Sequence, residues 1–254
     1  MCCFSQRVTS VSSTNIFARP AADGRQALVY SMTLKAKTDL AMILPLPVKT
    51  PANEGDLEFV NLKEYPNFFW DLDQGFPKTI TEGRHPHILT WGLDSRTAKL
   101  EVIPVGSFEA SFVPTDADFS RLDQRFRLPS DAWEKLPDYK DYGFAVFKLK
   151  PGEATVHPIA FHFRRRDPSA LFFPTVHIHD GKVHAKAHFD HALYCQPTPE
   201  ERPAIEQWAE SYTHPLNFMQ TDKTRGLVLK DQHCYKKELR GSLPNTDTLL
   251  KIGG

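Results

Sequence analysis

The chain lacks a long hydrophobic run, an excess of charge of either sign, and the Cys-x-x-Cys spacing of a structural zinc site. No apolar stretch approaches the roughly 20 residues that a membrane-crossing helix needs. Lys plus Arg and Asp plus Glu both number 31, so the formal charge is zero. A balanced chain has no built-in electrostatic attraction to nucleic acid or to an anionic membrane, and neither is expected as a partner. The basic run Arg164-Arg165-Arg166 reads as a solvated strand end. The N-terminus has no basic segment followed by an apolar one, so the expectation is a cytoplasmic protein with its four cysteines (Cys2, Cys3, Cys195 and Cys234) reduced.

What is present is strand pattern broken by turn residues. Asn15 to Arg19, Ala27 to Ser31 and Leu40 to Leu46 are short apolar or alternating segments, followed by Pro45, Pro47 and Pro51. Pro66 suits the first turn of a helix carrying Phe69, Trp70 and Leu72 and ending at Gly75. Leu100 to Phe112 reads as a strand pair turning at Gly106-Ser107. Thr115 to Asp118 reads as the capped start of a helix carrying Phe119 and Leu122, and a second short helix begins near Ser130. Strands resume at Tyr142 to Lys150 and Val156 to Phe163, and Thr198-Pro199-Glu200-Glu201 has capping-box spacing for a helix through Trp208. The expected fold is α+β, mainly antiparallel sheet with a few inserted helices, as one domain over 1–254 with a loose tail at 243–254.

The chemistry-bearing stretch is residues 173–191, where two alternating runs flank Asp180-Gly181, the dipeptide of a two-residue type I′ turn. That turn sets His179 opposite Lys182, Ile178 opposite Val183 and His177 opposite His184. Alternation then places Thr175, His177, His179, Lys182, His184, Lys186, His188 and Asp190 on one face, and Val176, Ile178, Val183, Ala185, Ala187, Phe189 and His191 on the other. Opposed Cβ atoms lie roughly 4.5–5.5 Å apart, so His177, His179 and His184 can converge on one copper or zinc ion, three protein ligands with an open position being the pattern of catalytic zinc. The expected function is a transition-metal-binding protein, possible as a metal-dependent enzyme acting on a small molecule or peptide. Lys182 and Lys186 on the same face point the other way, to a solvated strand. His191 and Cys195 fall on the core side, where burial is the ordinary fate, and with Cys2 and Cys3 they are weaker ligand candidates.

Two other function classes remain in view. Removal of Met1 would leave Cys2 as an N-terminal thiol beside a free amine, the arrangement of N-terminal-nucleophile amidohydrolases, with Cys2 catalytic. A scaffold or interaction module without chemistry is the third. His85 and His87 read as surface residues of a loop, and Cys234 of His233-Cys234 is a further soft ligand candidate.

Several stretches together resemble a bacterial family known as a domain of unknown function, whose members begin near a Cys-Gly-x-Phe-Cys motif. They are Cys3-Phe4, Asn15 to Arg19, Asp39 to Pro47, Val105 to Ala110 and Tyr142 to Gly152, running in order to about residue 163. The resemblance implies a shared β-rich architecture and no activity. The chain departs from that family in lacking a signal peptide and in carrying the histidine stretch.

Overall fold

The computed structural model describes residues 2–77, 103–105, 108–122, 127, 139–150, 152–179, 183–197, 205 and 207–252. The strands are β1 (Cys2–Phe4), β2 (Ser10–Pro20), β3 (Arg25–Ala36), β4 (Leu40–Leu46), β5 (Leu57–Val60), β6 (Ile103–Val105), β7 (Phe108–Val113), β8 (Gly143–Leu149), β9 (Gly152–Arg164), β10 (Ala170–Phe173), β11 (His177–Ile178), β12 (Lys186–Cys195), β13 (Ala209–Glu210), β14 (Tyr235–Pro244) and β15 (Thr248–Lys251). One sheet runs β11-β1-β4-β8-β7-β6, a second runs β13-β14-β12-β2-β3-β9-β5, and β10 pairs with β15.

The period-two pattern decides which side of each strand meets which core. In β4, Leu40, Met42, Leu44 and Leu46 join the largest apolar cluster while Ala41 and Ile43 join another on the opposite face. Strand β8 divides in the same way, Ala145, Phe147 and Leu149 against Phe144 and Val146. From the seven-stranded sheet, Ile16, Leu28, Tyr30, Phe161, Phe163 and Leu193 fill the same large cluster, so it lies between the two sheets. Phe147 of one sheet and Phe161 of the other stack with centroids 6.2 Å apart across it. Strands buried on both faces read as near-continuous apolar runs, which is why Leu-Ala-Met-Ile-Leu-Pro-Leu is buried along its whole length.

The back of the seven-stranded sheet is covered by α1 (Phe68–Asp73) and by the segment around Met219 and Leu227. Phe17, Val29 and Tyr194 emerge on that side, and the Phe17 and Phe68 rings meet edge to face at 5.9 Å.

The α+β expectation is corrected here: the molecule is predominantly β. The helix with Phe69, Trp70 and Leu72 is present, though only over Phe68–Asp73. The acidic start at Thr115 gives a 3-10 helix, Asp116–Arg121, because the chain burying Phe119 returns to extended geometry at Leu122 (φ −84°, ψ 159°). The helices expected near Ser130 and from Thr198 fall on residues outside those described, except that Gln207, with φ 72°, is not helical. The hairpin expected at 100–112 is present as Val105 paired with Phe108, its two turn residues lying outside the described set. Within residues 244–252 the chain is tied down at two places: β15 pairs with β10, and Ile252 donates to the Ser169 carbonyl at 2.8 Å. Among the described residues no helix is long and apolar enough to cross a membrane.

Candidate functional site

The histidine stretch does not fold as an isolated hairpin. Strand β11 pairs in parallel with the N-terminal strand, Cys2 with His177 and Cys3 with Ile178. Further attachments come from the turn between β14 and β15. The His177 N–H donates to Asn245 Oδ1 at 2.7 Å, and Asn245 Nδ2 donates to the carbonyls of His177 and His184, each at 3.0 Å. Just before it, the Thr175 and Val176 N–H groups both donate to Asp247 Oδ1, at 2.8 and 2.9 Å, and the Tyr139 hydroxyl donates to Asp247 Oδ2 at 2.6 Å. Asn and Asp accept backbone N–H groups readily because their carbonyl and carboxylate oxygens sit one bond from Cβ.

This register overturns the expected facing pairs. His177 packs between His179 (ring centroids 4.8 Å) and His191 (4.7 Å), not against His184. Nε2 of His177 and Nε2 of His191 are 3.1 Å apart, so one ring donates and the other accepts. The contact ties β11, at the margin of one sheet, to β12, inside the other. His191 is fully buried, as expected of the core side, and its Nδ1 lies 3.7 Å from Asp190 Oδ1. Burial holds the His177 imidazole down to about 3, with His191, His179 and the amino terminus adding to the effect. The same desolvation lowers His191, opposed by Asp190. Both rings are therefore neutral at physiological pH.

The other named residues are dispersed. Val176, Ile178 and Phe189 are buried as the alternation requires, whereas Val183 and Ala185 are exposed. His184, Lys186 and His188 are exposed. Cys3, Cys195 and Cys234 are buried thiols, and burial pushes Cys195 and Cys234 well above the ordinary thiol range, which disfavours the thiolate that a metal or a nucleophilic reaction uses. The Cys2 backbone is placed by its pairing with His177. His85, His87 and the Asp180-Gly181 turn lie outside the described residues. Among the described residues no group of three or more His, Cys, Asp or Glu side chains could hold a metal ion, which corrects the metal-binding expectation. The physical reason is the register: the strand beside β11 is β1, and it brings no imidazole from His184.

A second assembly, which the sequence pattern does not flag, gathers around the end of α1. The Tyr212 N–H donates to the Gly75 carbonyl at 2.8 Å. Gly75 is bare because Phe218 lies on it; a Cβ there would sit 2.5 Å from Phe218 Cζ. Leu216 stands two residues before Phe218 in the 3-10 helix Pro215–Asn217, and Gln74 Nε2 donates to the Trp70 carbonyl at 3.2 Å. Three large side chains carried by these linked segments are presented to solvent: Trp70 53% exposed, Tyr212 71% and Leu216 53%. Carboxylates lie close in sequence to two of them: Asp73 of α1, bonded to Tyr194 and Lys236, and Glu210, accepting from the Tyr235 hydroxyl at 3.2 Å. Only Trp70, on the exposed side of a helix otherwise carrying core aromatics, was a signal available in the sequence.

No protein-family model matches the chain, and no characterised protein matches its sequence. Among solved structures it is similar to the crystal structure of baculovirus P35, with a TM-score of 0.48 and 13% identity over 96% of this chain and 97% of that one. It is also similar to P35 in the caspase-8/P35 complex, with a TM-score of 0.46 and 14% identity over 95% and 96% of the two chains. A mutated baculovirus P35 after caspase cleavage gives a TM-score of 0.47 at 14% identity.

Proposed function

We propose that this chain is a non-catalytic protein-binding module that engages its partner through the surface of Trp70, Tyr212 and Leu216. The observation that supports this reading is the exposure of those three side chains around the end of α1. Trp and Tyr each bring roughly 150–250 Å² of contact area and are the residue types that dominate binding energy at interfaces. Folding gains nothing from leaving them in water, whereas a partner that covers them gains their burial. Phe218 and Gly75 fix the floor beneath, so the patch is presented in one shape and little ordering is needed on association. The polar rim of Asp73 and Glu210 matches the usual layout of an apolar centre inside a solvated border.

Surface plasmon resonance with immobilised partner tests the reading, with caspase-8 as the first bait. The wild-type chain binds, and the double variant W70A/Y212A binds at least about 30-fold more weakly, as expected when two central aromatic residues are truncated. Both side chains are exposed, so the variant's melting temperature stays close to wild type. A folded double variant that binds with unchanged affinity overturns the assignment of this surface. A photo-crosslinking side chain at Tyr212 that never joins to a bound partner does the same.

A further inference from the structure

The seven-stranded sheet ends on a strand that is long and covered over only a short length, extended up to Gly241, where φ is 84°. Strand β14 pairs with β12 along all ten of its residues, Lys186 with Pro244 through Cys195 with Tyr235. On its other side β13 covers Tyr235 and Lys236 alone. Among the described residues, the backbone from Lys237 to Pro244 faces away from the sheet with no further strand beside it. About every second residue of such an edge directs its N–H and C=O outward, which is the template for adding another strand.

The side chains along the open length are self-complementary. Glu238, Arg240 and Ser242 lie on the exposed face; Lys237, Leu239, Gly241 and Leu243 are half-buried on the other, and Leu239 packs against the large core cluster. If a second β14 runs antiparallel about Leu239, Glu238 of each copy stands opposite Arg240 of the other, Leu239 opposite Leu239, and Lys237 opposite Gly241. Two opposite-charge cross-strand pairs and one apolar pair result, and no like charges face each other directly. Within one copy Glu238 already reaches both neighbours on its face, Lys236 at 3.1 Å and Arg240 at 3.3 Å. Arg240, paired with Glu238, is 56% exposed. The ladder is bounded: beyond Lys237 the place is held by β13, so only residues 237–241 pair.

We propose that this chain self-associates through β14, two copies joining antiparallel about Leu239 into one sheet that runs through both. The joint is small. Five residues from each copy bury less than the roughly 1,200 Å² of a stable interface, so the dimer is weak, with a Kd on the order of micromolar or above. It is independent of the Trp70 surface, and its test reads a different quantity.

Sedimentation velocity from about 10 to about 500 μM reads the association directly and spans the affinity that such an interface gives. Wild type shifts from monomer toward dimer over that range. E238R sets arginine against arginine and R240E sets glutamate against glutamate, and each holds the chain monomeric. The double variant E238R/R240E restores opposite charges across the edge and recovers the dimer. Thermal melts of all four proteins separate loss of pairing from loss of fold, because all the exchanged groups are on the exposed face. A wild type that stays monomeric throughout, single variants that dimerise as wild type does, or a well-folded double variant that remains monomeric would each overturn the proposal.

Discussion

Two pairs of histidines within residues 177–191 have opposite fates. His177 and His191 meet with ring nitrogens 3.1 Å apart where two sheets join, and His184 and His188 stand in solvent. All four are the same residue type in one alternating run, and the run alone sorts His177 with His184 and His191 with the opposite face. What separates them is where the assembled sheets place each one: β1 and the Asn245–Asp247 turn bring His177 of the first arm onto His191, which adjoins the stretch of β12 that lies beside β2, whereas His188 lies further before that stretch. A histidine's environment is thus set by long-range pairing, which local period does not encode.

The largest effect comes from releasing the first arm. Asp247→Ala strips the acceptor from the buried Thr175 and Val176 N–H groups and from the Tyr139 hydroxyl, so it destabilises by about 2–4 kcal/mol in urea unfolding. An Asp247→Ala variant within about 0.5 kcal/mol of wild type would show that β11 holds its place without the turn, and the contrast between the arms would need another cause.

A smaller effect follows from protonation. In the unfolded chain His177 takes up its proton near about 6.5, while in the folded chain burial defers it to about 3. The unfolded state binds more protons between those values, so stability is whole above about 6.5 and falls as pH drops below it. Complete burial would give a loss of about 2 kcal/mol by pH 5, and partial exposure of the ring reduces it to about 1 kcal/mol. The neutral His191 acts in the same direction, because desolvation lowers it too. His177→Gln keeps a hydrogen-bonding group that does not titrate, and its melting temperature changes less between pH 7 and 5. Identical slopes for variant and wild type would place the acid sensitivity elsewhere. Asp190 and Glu238, both held low in the folded state, lose their contribution only at more acidic pH, outside this window.

The strands were legible in the sequence where burial is two-sided or cleanly alternating: Ala27–Ser31, Leu40–Leu46 and Tyr142–Lys150 fall on β3, β4 and β8. The balance of helix to strand was not, because the segment opening at Thr115 makes no side-chain cap and forms a 3-10 turn that returns to extended chain after burying Phe119. The tail illustrates the same limit. The tail at 243–254 reads as loose, yet Asn245 and Asp247 clamp the histidine arm across more than sixty intervening residues, a pairing that only the assembled sheets create. Tyr212 and Leu216 gain their meaning in the same way, by arriving beside Gly75 and Phe218.

The smallest effect is the sharpest test of the contrast between the arms. His188 lies opposite Ser242 on the exposed side of β12, and His184 is fixed through its carbonyl, which accepts from Asn245, so that replacing either side chain leaves the backbone attachments intact. Truncating an exposed side chain away from a cap, a cavity or a strained turn changes stability by about 0.5 kcal/mol or less. His184→Ala and His188→Ala therefore match wild type in urea midpoint. A loss above about 1 kcal/mol in either variant would mean that His184 or His188 is held by the fold as His177 and His191 are, and that the two pairs do not differ in their surroundings.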